Sequence, residues 1–165
     1  MDTARRSFET EVLKMENGDY RAIARLTDPF HTIEVMLLIN AIDFSIVDAS
    51  AEMMCCPYGD KCPDSLQSMG TLSGLRIGPG LNQAIREAVG GGCGCAYLVE
   101  LVTQACKFTI VVAKSEEARE AILIQNNIEK FSEIQEQMGR CAGHRNLPRG
   151  RLPDWLEHER KKVDG

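Results

Sequence analysis

The chain has 165 residues, of which 44% are hydrophobic and 26% charged, a composition typical of a globular protein with a hydrophobic core. Its 24 acidic residues exceed its 19 basic ones, so we expect no general binding to nucleic acid, which requires a basic surface. The first residues lack a secretory signal and no apolar run reaches the roughly 18 residues that span a bilayer, so we expect a cytoplasmic protein without membrane contact.

The N-terminal part of the sequence predicts a small antiparallel sheet. Residues 1–19 are polar and end in the turn sequence "ENGD". Alternating side chains then predict a strand from Tyr20 to Thr27, which ends at Pro29 because proline has no N–H donor. The aliphatic segments "HTIEVMLLIN" and "FSIVDASAEM" flank the short turn "NAID" and predict a β-hairpin. The predicted sheet therefore has two or three strands.

The middle of the chain is rich in cysteine, proline and glycine. The segment "CCPYGDKCPDSLQSMGTLSGLRIGPG" predicts mostly irregular structure, with a short helix after Pro63. A longer helix is predicted from Pro79, with Gly90 as its C-cap. Its apolar residues recur every four positions, at Leu81, Ile85 and Val89.

The C-terminal part predicts further helices. The segment "CAYLVELVTQAC" has an apolar stripe at helical spacing, and "FTIVVAK" continues the same helix. A last helix is predicted from Ser115, its N-cap, to Gly139. Its apolar face consists of Ala121, Ile124, Ile128, Phe131, Ile134 and Met138. Residues 141–165 are predicted to form an irregular tail with Trp155 and Leu156 as its apolar anchors.

This order of elements predicts the fold class. Strands first and helices afterwards indicate an α+β fold, in which C-terminal helices pack on one face of the antiparallel sheet. We predict a single domain over residues 1–140, followed by the tail.

Glycines and cysteines are concentrated before one helix, in "GGGCGCAYLVEL" over residues 90–101. Cys95 would open this helix, where free N–H groups and the helix dipole favour a thiolate, which is both a metal ligand and a nucleophile. The glycines would let the backbone approach a bound group. Alternatively, they only form a helix–helix turn and Cys95 is a small buried residue. We favour the functional interpretation.

A second group of candidate ligands lies in the loop "CPYGDKCP". Cys62 is its main candidate, and Cys56 and Asp60 could supply further donors, although the C-x5-C spacing differs from that of a zinc knuckle. Cys55, adjacent to Cys56, is predicted to be a filler residue because neighbouring side chains point in different directions. Cys93 is either a second ligand beside Cys95 or a bystander.

The remaining cysteines and histidines divide into core and candidate residues. Cys106 lies on the apolar stripe, about 16 Å along the helix from Cys95, so we predict a core position. Cys141 and His144 have C-x2-H spacing, which is compatible with paired metal ligation. His31 is predicted to be a surface or packing histidine, and a reducing cytoplasm would keep all seven cysteines free of disulfides.

These motifs together resemble a bacterial domain family of unknown function over most of residues 5–155. The family pattern contains an aliphatic hairpin, a Pro…Cys loop, an L-x-G-x-x-I-x-x-G segment and a G-C-T-H-L-x-E-L helix start. The resemblance implies that Cys62, Cys95 and Cys141 are family positions. Tyr97 and Ala142 stand where the family has histidines, so a histidine-dependent activity would require His31 or His144 as a substitute.

The order of hairpin, cysteine loop, glycine-rich turn and helix-start cysteine is also similar to iron–sulfur assembly scaffolds of the NifU type. This resemblance implies a metal or cluster site near the end of the sheet. We predict an accessory protein or small subunit of a bacterial enzyme system that binds zinc or an iron–sulfur cluster, with a protein partner or as a homo-oligomer. The predicted ligands are Cys62, Cys95 and Cys141, with further donors among Cys56, Cys93, His144 and Asp60.

The alternative is a thiol-dependent enzyme that acts on a small-molecule substrate. Cys95 would then be the nucleophile, with His31 or His144 as its base.

Overall fold

The computed structural model describes residues 3–138, 148 and 151–163. The chain forms two compact units, residues 1–109 and 110–165. The boundary between them lies inside one long helix, and the predicted single domain over residues 1–140 stays a prediction.

The first unit begins with a four-stranded antiparallel sheet in the order β1-β2-β3-β4. Its strands are β1 (Ser7–Lys14), β2 (Tyr20–Thr27), β3 (Thr32–Ile39) and β4 (Ile46–Cys55). The α+β class and the N-terminal antiparallel sheet are confirmed, but the predicted count of two or three strands is wrong. The missed strand is β1, an edge strand in which only Thr10 and Val12 are even partly buried, so its hydrophobic alternation is weak.

Side chains alternate between a buried and a more exposed face of this sheet. The buried residues of the two central strands are Tyr20, Ala22, Ala24, Leu26, Ile33, Val35, Leu37 and Ile39. This confirms the alternation predicted from Tyr20 to Thr27 and the predicted hairpin of β3 and β4. Burying each Leu or Ile side chain stabilises the fold by about 1.5–3 kcal/mol. Because a one-residue slip in strand pairing would turn these side chains to the other face, their burial specifies the register of the sheet.

Helical segments complete the first unit. An 11-residue 3-10 helix, Cys62–Leu72, takes the place of the short helix predicted after Pro63. Next comes α1 (Leu81–Val89), whose apolar face is buried and whose predicted C-cap, Gly90, donates its N–H to Arg86 O. A short 3-10 turn, Gly91–Cys93, leads to α2 (Ala96–Arg119), which includes "FTIVVAK" as predicted. The buried stripe of α2 is also confirmed, at Leu98, Leu101, Val102, Ala105 and Cys106.

The described residues of the second unit contain the end of α2 and two further helices. A π-helical turn, Glu120–Ile124, continues α2, and α3 (Ile128–Met138) follows. The predicted helix start at Ser115 is wrong, because Ser115 lies inside α2. The predicted helix is instead interrupted near Asn126, whose φ is +47°. Of the predicted apolar face, Ala121, Phe131 and Ile134 are buried, whereas Ile124 and Ile128 are exposed.

Part of the tail that was predicted to be irregular is helical, as α4 (Asp154–Val163). Leu152 and Leu156 are buried in the same apolar cluster as Phe131 and Ile134. Leu156 is thus an anchor as predicted. Trp155 is 44% exposed, and the predicted protein partner or homo-oligomer stays a prediction.

One helical stretch, Ala96–Ile124, is long and apolar enough to cross a membrane by length and composition alone. The core helix of a water-soluble protein has the same properties, and the first part of this stretch carries the buried stripe of α2. The predicted cytoplasmic location therefore stays a prediction.

Candidate functional site

A cleft of about 870 Å³ opens in the first unit. Its walls come from the start of β3, from the end of β4 with the following loop and 3-10 helix, and from the glycine-rich turn before α2. Four candidate ligands that are distant in sequence line this cleft, namely Cys56, Cys62, Cys93 and Cys95. The fold thus brings into one cleft the two groups of described thiols that the sequence predicted to serve one site.

Cys56 and Cys62 are neighbours on one wall of the cleft. The Cys56 thiol donates a hydrogen bond to Gly59 O at 3.1 Å. Burial raises the pKa of Cys56, and a hydrogen bond with Cys62 and the nearby charges of Cys62 and Cys55 raise the pKa further. These contacts therefore disfavour the thiolate form of Cys56.

Cys95 is held on another wall by the glycine-rich turn. Its N–H donates to Val89 O at 2.9 Å, and its C=O accepts from Val99 N–H at 3.2 Å, so Cys95 is the N-cap residue of α2. A Cβ on Gly94 would lie 2.2 Å from Val89 O and 2.4 Å from Gly90 O. Only glycine therefore lets the chain fold back on the end of α1 and present Cys95 to the cleft.

His31 also lines the cleft, and a buried carboxylate fixes its ring. Its Nδ1 lies 3.0 Å from Asp28 Oδ1, and the two side chains are 13% and 3% exposed. The same oxygen accepts hydrogen bonds from the N–H groups of Phe30 and His31 at 2.8 Å. Arg6 donates two hydrogen bonds to Asp28 Oδ2, at 2.6 and 2.8 Å.

This network determines which nitrogen of His31 carries a proton. Burial alone would raise the pKa of Asp28, but the hydrogen bonds from Phe30, His31 and Arg6 together hold that pKa well below its usual range. Asp28 is therefore a carboxylate that can only accept, so Nδ1 of His31 is the protonated nitrogen. In the neutral ring, Nε2 then keeps its lone pair.

Tyr97, in the first turn of α2, connects the network to the helix. Its ring makes an edge contact with the ring of His31, with centroids 4.6 Å apart. Arg6 lies 4.8 Å from the centroid of the Tyr97 ring and donates to the Tyr97 hydroxyl at 3.0 Å. Arg6 thus holds Asp28 and Tyr97 together around His31.

The remaining candidate ligand that the structure describes lies off the cleft wall, as do the two cysteines that were predicted to be filler or core residues. Asp60 is exposed in the loop before the 3-10 helix and does not line the cleft. Cys55 is exposed, with its thiol 3.6 Å from Phe30 O. Cys106 is buried, as predicted, and burial raises its pKa to about 12. Cys141 and His144 lie outside the described residues.

The donors are spread around the cleft. Among the residues that the structure describes, no three of the His, Cys, Asp and Glu side chains are close enough to hold one metal ion. The six described cysteines are all free thiols. The cleft as it stands is therefore an open thiol-lined pocket, with space between its walls.

The sequence predicted His31 as a site residue only under the alternative function, as a base for Cys95, and it did not predict Lys61 and Asp64, which also line the cleft. The sequence contains one indication, because Asp and His are spaced i, i+3 in "DPFH" and Asp side chains readily accept from the N–H groups that follow them. That pattern places the imidazole beside Asp28. It does not indicate that the β3 start adjoins the glycine-rich turn.

Comparisons with known proteins identify a family but no activity. The sequence pattern of a family described as a protein of unknown function (DUF2889) matches residues 5–110, which is nearly all of the first unit. No curated protein and no solved structure matches the chain, so the similarity to NifU-type scaffolds is not shown. The match spans more than half of the chain, so the protein belongs to this DUF2889 family, as its resemblance to a bacterial family of unknown function predicted.

Proposed function

We propose that the cleft binds a thiolate-ligated metal group, and that an iron–sulfur cluster is preferred over a single zinc ion. The observation that carries this proposal is that Cys56, Cys62, Cys93 and Cys95 line one cleft although they come from two distant segments. Thiolates are soft ligands that select zinc, Cu(I) and iron–sulfur clusters over magnesium or calcium.

The spread of the donors argues against a single zinc ion in the cleft as it stands. A zinc ion requires its ligands at about 2.0–2.3 Å from a single point, and no described trio of donors is close enough to hold one ion. A cluster has several iron atoms, so its thiolates bind at different metal atoms and need not converge on one point. Cys141 and His144 remain predicted ligands.

The proposed role is accessory rather than catalytic. Because the cleft is open, a bound cluster would be accessible to a protein partner that receives the cluster or its electrons. This fits the predicted accessory protein or small subunit of a larger enzyme system.

The test is anaerobic reconstitution with ferrous iron and sulfide, followed by iron and acid-labile sulfide analysis and a visible absorption spectrum. We expect a coloured protein with iron and sulfide in comparable amounts. The double variant Cys62→Ser/Cys95→Ser should lose most of the bound iron. Cys55→Ser is the matched control, because Cys55 is exposed next to Cys56 but lies off the cleft wall.

Two results would contradict the proposal. One is the absence of stoichiometric iron from the wild-type protein after reconstitution. The other is equal iron content in the double variant and the Cys55→Ser control. Zinc without iron would support the thiolate site but overturn the preference for a cluster.

A second candidate function is a thiol-dependent enzyme with Cys95 as nucleophile. The pairing of Asp28 with His31 favours it, because a carboxylate-oriented imidazole on the same cleft could accept the thiol proton.

The test of this second candidate is the rate at which iodoacetamide alkylates each cysteine. We expect Cys95 to react faster than the more exposed Cys93, and His31→Gln to slow Cys95 at least about tenfold, since general bases contribute about 10²–10⁴-fold. Equal rates at Cys93 and Cys95 would contradict this function.

A further inference from the structure

We infer that Cys56 and Cys62 form a redox-active pair, which a peroxide converts to a disulfide and a thiol reductant restores. This inference is independent of the proposed function, because it requires no bound metal. It assigns a modification site to two side chains on one wall of the cleft.

The first argument is the contact between the two thiols. Two cysteines whose side chains point apart cannot be bridged unless the backbone moves. Here a hydrogen bond joins the side chains of Cys56 and Cys62, and both line the same cleft. The thiol of Cys55 lies instead beside Phe30 O, at 3.6 Å. Cys56 is therefore the residue placed to pair with Cys62.

The second argument is the tight loop that separates the two residues, which is five residues long. The N–H of Lys61 donates to Tyr58 O at 3.1 Å, and the Cys56 thiol donates to Gly59 O at 3.1 Å. Local contacts thus return the chain to Cys56 as the 3-10 helix begins at Cys62. Formation of the S–S bond therefore requires a local movement only.

The third argument is access for a small oxidant. Cysteine oxidation depends on exposure as well as on thiolate character. Both thiols are partly exposed and line an open cleft of about 870 Å³, which hydrogen peroxide can enter.

The reaction consumes one peroxide for each disulfide. The Cys62 sulfur attacks an oxygen of hydrogen peroxide, the O–O bond breaks, and Cys62 becomes a sulfenic acid as water leaves. The Cys56 sulfur then attacks the Cys62 sulfur, and the sulfenic hydroxyl leaves with the Cys56 proton as a second water. The two thiols lose two electrons, which the peroxide gains. A dithiol such as dithiothreitol reverses the oxidation by thiol–disulfide exchange.

The experiment treats the full-length, metal-free protein with hydrogen peroxide and then alkylates the remaining thiols with N-ethylmaleimide in urea. Trypsin cleaves after Lys61, so Cys56 and Cys62 lie in separate peptides, residues 26–61 and 62–76. We expect mass spectrometry to find these peptides linked, with a mass lower by two hydrogen atoms than the sum of the two. Dithiothreitol should release them.

Three variants identify the pair. Cys56→Ser and Cys62→Ser should each abolish the linked peptides. Cys55→Ser is the matched control, because Cys55 lies in the same peptide as Cys56 but off the cleft wall, and it should keep the linkage.

Three results would overturn the inference. Linked peptides that persist in Cys56→Ser would make Cys55 the partner of Cys62. Loss of alkylation from peptide 87–107 without any linked peptides would place the disulfide at Cys93 and Cys95. Oxidation of Cys62 to a sulfinic acid without a disulfide would show that no second thiol is in reach. Iron reconstitution uses the reduced protein, so failure of one proposal is distinguishable from failure of the other.

Discussion

Replacing Gly94 with alanine should destabilise the protein through a steric conflict at the turn that presents Cys95. The backbone of Gly94 has φ −110° and ψ −164°, which any residue can adopt, so the cost does not come from the dihedral angles. It comes from the Cβ, which would meet Val89 O at 2.2 Å, Gly90 O at 2.4 Å and the Val89 carbonyl carbon at 2.5 Å. All three atoms belong to the backbone and cannot rotate away.

The size of the expected destabilisation follows from the backbone atoms that must move to make room for the Cβ. Adding a methyl group to a well-packed site costs about 1–3 kcal/mol, occasionally more, and a conflict with backbone belongs at the upper end. We therefore expect Gly94→Ala to lower the free energy of unfolding by about 3 kcal/mol or more. For a chain of this length, that corresponds to a decrease in Tm of about 6–12 °C.

Two neighbouring glycines provide matched controls. A Cβ on Gly92 meets nothing within 4 Å, so Gly92→Ala should change stability by less than about 0.5 kcal/mol. Gly91 also has open space but a φ of +72°, so Gly91→Ala should cost about 1–2 kcal/mol through backbone strain alone. Urea unfolding, monitored by circular dichroism, measures the free energy of unfolding of all three variants. Equal stability of the Gly94 and Gly92 variants would refute the steric reasoning.

Three further predictions concern acid stability, the core and thiol reactivity. Because the pKa of Asp28 is lower in the folded than in the unfolded state, ionised Asp28 stabilises the fold. This stabilisation is present above about pH 4 and is lost as the pH falls through the folded-state pKa. Asp28→Asn should therefore be less stable at pH 7 and show a smaller loss of stability in acid, measured as the urea midpoint from pH 7 to pH 2. Leu98→Ala should lower the free energy of unfolding by about 2–5 kcal/mol, because Leu98 is completely buried on α2. Urea unfolding measures this loss, and we expect the m-value to stay unchanged. An aromatic disulfide reagent at pH 7 should modify the exposed Cys93 quickly and Cys106 only on unfolding; rapid modification of Cys106 in the native protein would contradict its buried position.

The sheet was predictable where one face is fully buried. In β2 and β3 every second side chain is buried, so the two-residue period is strong in the sequence. Strand β1 pairs with β2 over its whole length but buries little, because it lies at the sheet edge. Its stability comes from backbone pairing, which leaves no hydrophobic pattern to recognise.

The helices were predictable in their apolar faces but not in their boundaries. The buried stripe of α2 follows directly from its spacing, whereas Ser115 has the properties of an N-cap and yet lies within the helix. Residue type at a cap is a weak preference, and the surrounding contacts override it. The actual break comes at Asn126, one of the residue types that adopt a positive φ most readily.

The candidate site was predictable only in part, because its residues meet through long-range contacts. The chemistry of each thiol and the need for glycine before Cys95 could be inferred locally. The sequence could not show that Cys56 and Cys62 share a cleft with Cys93 and Cys95, since 30 residues lie between Cys62 and Cys93. Proximity of that kind depends on how the 3-10 helix and α1 connect them.

The extent of the family match bears on where the ligands of the proposed thiolate site should lie. The set predicted from sequence took Cys141 and His144 from beyond residue 110, where the family match ends. Cys62 and Cys95 both lie within residues 5–110, and the structure puts both on one cleft. If function is a property of the family, its ligands should come from the region that defines the family. Iron binding should then depend on Cys62 and Cys95 and tolerate loss of Cys141 and His144, so iron analysis of Cys62→Ser/Cys95→Ser and of Cys141→Ser/His144→Ala compares these two ligand sets directly.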